Sequence, residues 1–229
     1  MHRTASTMLN AIDFVVIGTG SGRFTKMPRL KPLALADIPA ELRPVFDGAE
    51  SYMGFVANDA LTMALLPDVL RTALPFMRAI YSDGRVNFEL KRLVGMMSSW
   101  AGGCQYCVAH TAHGAARLGV AEEKIAALPN FATSPLYSDA ERAALRLAAA
   151  AGQVPNATTD ADFAALRLHF DDVQIAEIVA TIALFGFLNR WNATLATELE
   201  SSPLRFAQRT LTAGGWSAGN HAATTSRAK

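Results

Sequence analysis

Apolar residues recur at helical spacing along this chain from Pro39 onward, and almost no stretch alternates apolar and polar residues as a strand would. Signals that begin and end helices accompany the pattern. The segment 138–141 is typical of a capping box, and Gly152 with Pro155 would end the helix that it opens. Asp171 similarly precedes a segment, 173–185, that is apolar nearly all round, which predicts a buried central helix. The sequence therefore predicts an all-α fold.

The remaining helices are predicted from the same periodicity and from Pro, Gly and Asn punctuation. They fall at 39–46, 59–66, 67–81, 87–100, about 104–118, and 159–170.

A length of 229 residues fits one large domain or two fused halves. The segment 14–22 resembles the strand and glycine turn of a dinucleotide site, but Pro28 and Pro32 follow where such a site needs a helix. We therefore expect residues 1–26 to be a flexible extension and residues 27–202 to be the helical domain. The helical pattern fades after Pro203, so we expect residues 203–229 to be a largely mobile tail.

The charge balance excludes partners that need a strong positive field. Lys plus Arg number 21 and Asp plus Glu number 20, so neither nucleic acid nor an anionic membrane surface is expected to bind. The longest nearly apolar run, 173–188, is shorter than the roughly 20 residues of a membrane span. Only 18% of residues are charged, below the usual figure of about 25%, which suggests surface buried between subunits. We expect a soluble, cytoplasmic homo-oligomer.

The chemistry of the chain is concentrated around its two cysteines, Cys104 and Cys107. Gly102 and Gly103 break the preceding helix, so both sulfurs are expected in the first turn and a half of a new helix, where the dipole favours a thiolate. Residues three apart share a helix face, so the two thiols can form a disulfide. His110 follows one turn later, next to Cys107, and an imidazole there can give or take a proton. Cys104, Cys107 and His110 are the predicted catalytic residues.

These residues have two other possible interpretations, a metal site and simple core packing. Cys104, Cys107, His110 and His113 could form a zinc site, but each step of three residues turns about 60° around a helix, so the four side chains would spiral apart. The two cysteines could also be buried packing residues. We expect neither a metal nor another cofactor.

The run from Cys104 to Thr111, the closing Gly119 and the later segment 187–192 resemble the AhpD-like alkylhydroperoxidase and carboxymuconolactone decarboxylase family. The resemblance covers about residues 27–200 and implies an AhpD-like helical bundle, with a hairpin carrying the Cys-x-x-Cys motif. It also implies trimers or hexamers and thiol-dependent reduction of an organic hydroperoxide, with an external dithiol as reductant. Carried over, Cys107 would attack the peroxide because it adjoins His110, and Cys104 would resolve; the helix dipole favours the reverse, so both assignments stay open.

One position departs from the resemblance. Peroxidases of this family have a relay glutamate twelve residues before the first cysteine, where this chain has Arg92. Glu89 is a possible substitute, although a solvated helix residue is the favoured interpretation. Two alternatives to a peroxidase remain: a carboxymuconolactone decarboxylase-like lyase, with His110 moving a proton and Arg92 or Arg190 holding a carboxylate, and a non-enzymatic redox-responsive module.

Overall fold

The structure, a computed structural model, describes residues 28–82 and 84–222. The expected flexible extension over 1–26 lies outside the described residues, as do residues 223–229. Within the described part there is no β-strand, which confirms the all-α prediction. The α-helices are α1 (Arg43–Met53), α2 (Asn58–Met63), α3 (Pro67–Tyr81), α4 (Phe88–Ala101), α5 (Gln105–Arg117), α6 (Glu122–Ala126), α7 (Asp139–Ala151), α8 (Asp160–Arg167), α9 (Asp172–Leu195) and α10 (Ser201–Thr210).

The helix boundaries follow the predicted capping residues closely. Ser138 and Glu141 form a reciprocal capping box at the start of α7, and Asp171 accepts a hydrogen bond from the backbone of Gln174 at the start of α9. The prediction for 39–46 was less accurate, because Pro39 precedes a 3-10 turn (Ala40–Leu42) and α1 begins only after it.

Helix α4 lies at the centre of the fold and packs against α5, α7 and α9. Its approach to α9 requires a glycine. A Cβ at Gly95 would lie 2.1 Å from the Cε2 atom of Phe185, whose ring is buried and held by the core. The close contact of these two helices fixes the position from which α4 leads into the cysteine motif.

Helix α9 is longer than the predicted apolar run and is buried on one side only. Ile175, Ile178 and Ile182 are buried, whereas Val173 and Val179 are 50% and 41% exposed, so the prediction of a fully buried helix was wrong. Among the described residues this helix alone is long and apolar enough to cross a membrane. Length and composition are weak evidence, however, and a core helix of a soluble protein has the same properties.

The prediction of a mobile tail from residue 203 was wrong for residues 203–222. They continue through α10 and two 3-10 turns, Thr212–Gly214 and Gly219–His221, and α10 packs against α5. The average polarity of this stretch conceals an apolar face made of Pro203, Phe206, Ala207, Leu211 and Trp216, all of which are buried. The helical domain therefore extends to the last described residues.

Replacing Gly95 by Ala is expected to destabilise the protein by about 1–3 kcal/mol, because the added methyl group overlaps the buried Phe185 ring. The matched control is Gly186→Ala in α9, whose Cβ would meet only the end of the Arg190 side chain at 3.5 Å. That change should raise stability by about 0.5–1 kcal/mol, because alanine favours a helix. Urea unfolding of both variants measures the difference, and equal stabilities would contradict the packing described here.

Candidate functional site

The two cysteines lie where the sequence predicted, at the start of α5. Helix α4 ends at Ala101, and Gly103 adopts a φ of 73°, a left-handed conformation that glycine takes without strain. Cys104 is the N-cap of α5, and its amide donates to the carbonyl of Ser99 at 3.0 Å. Both cysteines are buried, with 0% and 3% of Cys104 and Cys107 exposed. The turn therefore delivers a pair of thiols to the interior rather than to the surface.

His110 is paired with a glutamate that comes from the far end of the chain. Its Nε2 lies 2.5 Å from the carboxylate of Glu200, the N-cap of α10, and both side chains are almost buried. The same carboxylate accepts a hydrogen bond from the Tyr106 hydroxyl at 2.8 Å and one from the backbone amide of Asn58 at 2.5 Å. The Tyr106 ring stacks on the His110 ring, with centroids 4.2 Å apart. His110 is thus held on two sides and fixed in orientation.

A second carboxylate connects this cluster to the cysteines. The side-chain amide of Asn192 in α9 donates to Asp59 at 3.3 Å and to the Cys107 sulfur at 3.4 Å. The backbone amide of Asp59 in turn donates to the Tyr106 hydroxyl. One network of hydrogen bonds therefore joins α2, α5, α9 and the start of α10 around the thiol pair.

The pair of His110 and Glu200 is ionised more readily than its burial alone would allow. Burial by itself would lower the pKa of His110, but the charge and hydrogen bond of Glu200 outweigh it, and that pKa is raised above the ordinary value of 6.5. Burial would likewise raise the pKa of Glu200, but the charge of His110 lowers it below 4.5. The arrangement thus favours the protonated form of His110 and the ionised form of Glu200.

The two thiols have opposite acidities. A hydrogen bond from the Cys107 thiol, opposed by burial and helped by a hydrogen bond from His221, lowers the pKa of Cys104 to about 5. Burial, with the neighbouring Cys104 adding to its effect, raises the pKa of Cys107 well above the ordinary value. The pair therefore carries one thiolate and one thiol near neutral pH, and the thiolate is Cys104.

These surroundings bear on which cysteine attacks. The resemblance favoured Cys107 because of its proximity to His110, but the ring of His110 is engaged by Glu200, and the lowered pKa belongs to Cys104. The structure therefore favours the reverse assignment, which the helix dipole had also favoured. The sequence alone leaves both assignments of the attacking cysteine open.

The basic and acidic residues proposed for other roles differ in their surroundings. Arg92 is buried, with its guanidinium carbon 4.8 Å from the centre of the Tyr81 ring, and Glu89 is exposed on α4. Arg190 is exposed and donates to a carbonyl of its own helix. It borders a cavity of about 230 Å³ that neither cysteine lines. Of the two arginines offered for the lyase interpretation, only Arg92 is near His110: its guanidinium lies against Gly114 of α5, and its charge lowers the pKa of His110.

The zinc interpretation needs four side chains to converge. In the described part of the chain no group of three or more His, Cys, Asp or Glu side chains is arranged to hold a metal ion. His113 packs instead between the rings of Phe55 and Phe206.

Sequence reasoning missed the residues that complete the site. Glu200, Asp59 and His221 carry no recognisable motif and lie far from the cysteines along the chain. A weak signal existed for Glu200, because it precedes a proline-containing start of a helix that had been assigned to the tail. Asn192 ends the segment 187–192 that carries part of the resemblance and was not among the predicted catalytic residues, yet its side-chain amide contacts the Cys107 sulfur.

Comparison with known proteins agrees with the fold and the motif. The model of the carboxymuconolactone decarboxylase family matches residues 67–150. The debrominase Bmp8 is 37% identical over 79% of this chain and 96% of its own, with a TM-score of 0.74. Its structures include a cysteine-to-alanine variant bound to 2,3,4-tribromopyrrole.

Two further proteins extend the comparison. A peroxidase-related protein of Ralstonia eutropha JMP134, with an alkylhydroperoxidase AhpD core, is 28% identical over 79% of this chain and 95% of its own, with a TM-score of 0.67. YnjA of Escherichia coli (strain K12) is 35% identical over 92 residues, which are 40% of this chain and only 50% of YnjA. The fold and the buried Cys-x-x-Cys pair define an AhpD-like helical protein. The chain belongs to the carboxymuconolactone decarboxylase family, in its AhpD-like branch.

The Glu200→Gln variant should have a His110 imidazole of lower pKa, because burial then acts on the ring without the opposing carboxylate charge. Titration of the histidine ring protons by NMR measures the change. Glu89→Gln, at an exposed position of α4, is the matched control and should leave the His110 titration unchanged. A wild-type titration of His110 in Glu200→Gln would contradict the pairing.

The same pair predicts how stability depends on pH. The raised pKa of His110 contributes stability that is complete below 6.5 and is lost as the pH rises through the folded value. The lowered pKa of Glu200 contributes stability that is complete above 4.5 and is lost as the pH falls through its folded value. The stability difference between wild type and Glu200→Gln, measured by urea unfolding, should therefore be largest between these two values.

Proposed function

We propose that the protein is a thiol-dependent reductase of organic hydroperoxides that uses Cys104 and Cys107 as its redox pair and His110 as its proton relay. The observation that carries the proposal is the contact of a low-pKa sulfur with a high-pKa sulfur inside one buried cluster. A thiolate is the reactive form of cysteine, and a neighbouring thiol can resolve its oxidised product. Family membership supports the proposal at a coarser level.

The proposed reaction has two steps. The Cys104 thiolate attacks the peroxide, so that a sulfur–oxygen bond forms, the oxygen–oxygen bond breaks, and the departing alkoxide takes a proton from His110. Cys107 then gives its proton to His110 and attacks the sulfenic acid. A disulfide forms, and hydroxide leaves and is protonated to water. An external dithiol reduces the disulfide, which restores both thiols.

A second candidate reaction is the reductive removal of bromine from a brominated aromatic compound, which the 37% identity to the debrominase Bmp8 favours. Here two thiols and a carbon–bromine bond become a disulfide, a carbon–hydrogen bond and hydrogen bromide. The two candidates consume the same thiol pair and differ only in the bond that is reduced. The same protein preparation can therefore test both.

Oxidation of the thiols by one equivalent of cumene hydroperoxide, in metal-free buffer, tests the proposal. We expect both thiols to disappear, one equivalent of alcohol to form, and a dithiol to restore the thiols. A parallel sample receives 2,3,4-tribromopyrrole, and release of bromide with loss of both thiols would favour the second candidate. Thiols that stay reduced with both compounds would contradict a reductase and favour the lyase or the redox-responsive module.

Single serine variants of each cysteine test the order of the steps. Cys107→Ser should stop at a sulfenic acid on Cys104, which dimedone traps and mass spectrometry locates, because the resolving thiol is gone. Cys104→Ser should leave Cys107 reduced, because burial keeps that thiol protonated. Both variants should lose dithiol-dependent turnover. A sulfenic acid on Cys107 in Cys104→Ser would reverse the assignment.

We also propose that the protein acts as a cytoplasmic homo-oligomer, a trimer or hexamer as the family resemblance implies. Apolar side chains exposed along α3 and α9 support the self-association, among them Phe76 at 56% and Val173 at 50%. They border a groove of about 430 Å³ between the two helices, which a second copy would cover.

Sedimentation equilibrium tests the proposed assembly. Phe76→Lys should shift the protein towards monomers, because a charge would be buried in the subunit contact. Leu168→Lys, at a position 78% exposed at the end of α8, is the control and should keep the wild-type mass. A wild-type protein that sediments as a monomer at micromolar concentration would rule the assembly out.

A further inference from the structure

The last described residues of the chain lie against the start of α5, next to the thiol pair. The 3-10 turn Gly219–His221 packs on α5, and the indole of Trp216 donates to the carbonyl of Gln105 at 3.1 Å. The amide of Leu199 donates to the carbonyl of His221 at 3.0 Å. These contacts hold a buried imidazole, 4% exposed, beside the first turn of the helix that carries the cysteines.

The orientation of the His221 ring follows from its hydrogen bond to the backbone. Its Nδ1 lies 2.7 Å from the carbonyl oxygen of Thr197. A carbonyl only accepts, so Nδ1 carries a hydrogen, and in the neutral ring Nε2 is the bare nitrogen. The ring also lies close enough to Cys104 to lower the pKa of that thiol, both as a hydrogen-bond partner and through its charge. Since Nδ1 is engaged by Thr197, the nitrogen available to the Cys104 sulfur is Nε2.

We propose that His221 is a catalytic residue that takes the proton of Cys104 and forms a thiolate–imidazolium pair with it. The inference rests on the proposed function, in which Cys104 is the attacking sulfur. The proton passes from Sγ of Cys104 to Nε2 of His221, leaving the sulfur with the electron pair that attacks the substrate. When the disulfide forms, the hydroxide that leaves Cys104 takes this proton and departs as water.

The surroundings of the pair favour the charge separation. Cys104 is at the N-terminus of α5, where the helix dipole stabilises an anion, and the Cys107 thiol donates a hydrogen bond to it. Tyr106 faces His221 from α5, with ring centroids 5.8 Å apart, and its hydroxyl donates to the Glu200 carboxylate.

The two histidines then have separate tasks. Tyr106 stacks on His110, with centroids 4.2 Å apart, and faces His221 with its rings at an angle of 51°. Glu200 raises the pKa of His110, which suits His110 to supply the proton that the leaving alkoxide needs. His221 has no carboxylate among its hydrogen-bond partners in the described chain, and Nε2 is the ring nitrogen left for the nucleophile once Nδ1 binds Thr197. One imidazole would not serve both purposes at once.

The test follows the ionisation of each sulfur by NMR of reduced protein labelled with ¹³C at the cysteine Cβ atoms. The chain has two cysteines, so two resonances report the two thiols, and Cys107→Ser assigns them. Wild-type Cys104 should titrate near pH 5. In His221→Asn the titration should move up by about one pH unit or more, which is about a tenfold fall in the ratio of thiolate to thiol at a given pH.

The substitutions are chosen to separate catalysis from anchoring. Asparagine keeps a donor near the Nδ1 position for the Thr197 carbonyl but has nothing at the position of Nε2. Glutamine places a polar atom nearer to Nε2, but its amide cannot accept a proton. Both variants should shift Cys104 upward and lower the rate of substrate reduction. His169→Gln removes an exposed imidazole at the end of α8 and should leave the titration unchanged.

A measurement on the unaltered protein covers the case in which the variants fail to fold. In ¹⁵N NMR at neutral pH, the His221 ring of the reduced protein should carry hydrogen on both nitrogens, and the disulfide form should carry it on Nδ1 only. A ring that stays singly protonated in the reduced protein, or a wild-type Cys104 titration in folded His221→Asn, would overturn the inference. These readouts need no substrate, so failure of the proposed function would appear separately, as a correctly titrating pair that no hydroperoxide oxidises.

Discussion

The carboxylate of Glu200 joins three segments of the chain that are far apart in sequence. It accepts hydrogen bonds from the Asn58 amide and the Tyr106 hydroxyl and forms an ion pair with His110. A nearly buried carboxylate is tolerated only when its hydrogen bonds and its charge are matched, and removing one partner of such a pair typically costs about 3–5 kcal/mol. The start of α2, the motif helix α5 and the start of α10 are therefore held together by one group.

The organisation of the thiol site follows from that constraint. Since Glu200 engages His110, the pKa of the imidazole nearest to the cysteines in sequence is raised, which favours its protonated form. The sulfur that becomes a thiolate is instead the one at the helix N-terminus, where the dipole, the second thiol and His221 all stabilise negative charge. Cys107 is also buried and lies beside Asn192, and its pKa is raised well above the ordinary value, which suits the resolving role proposed for it. Differences in burial and partners give two chemically identical side chains different roles.

Local signals in the sequence were sufficient for the fold and for the position of the motif. Capping residues such as Ser138 and Asp171 act within one turn, so the sequence around them determines where a helix begins. The pair Cys104 and Cys107 is local in the same sense. Glu200 and His221 are not, because their roles depend on how α10 and the following turns fold back on α5.

The error at the chain end has a definite physical cause. Residues 203–222 look polar on average because Arg205, Gln208 and Arg209 separate the apolar positions, yet the apolar face is continuous once the segment is helical. A polarity averaged over a window of residues does not show that one face of a helix is apolar. The 3.6-residue spacing of the apolar residues does show it. Similarly, Arg92 at the position of the family glutamate suggested a lost relay, while a carboxylate from another element occupies the side of His110 that a relay would use.

In both proposed reactions the thiol pair and the two histidines would move the same electrons and protons, so they do not determine which bond is reduced. Hydroperoxides and brominated aromatic compounds each need two electrons, and a disulfide is the product with either. Discrimination must therefore come from the groups that surround the pair, and around His110 these are the rings of Phe55 and Tyr106. Aromatic rings favour substrates with flat or apolar groups, and both sulfurs are screened from bulk water. Exchanging these aromatic rings while the cysteines stay the same would then change which substrate is reduced.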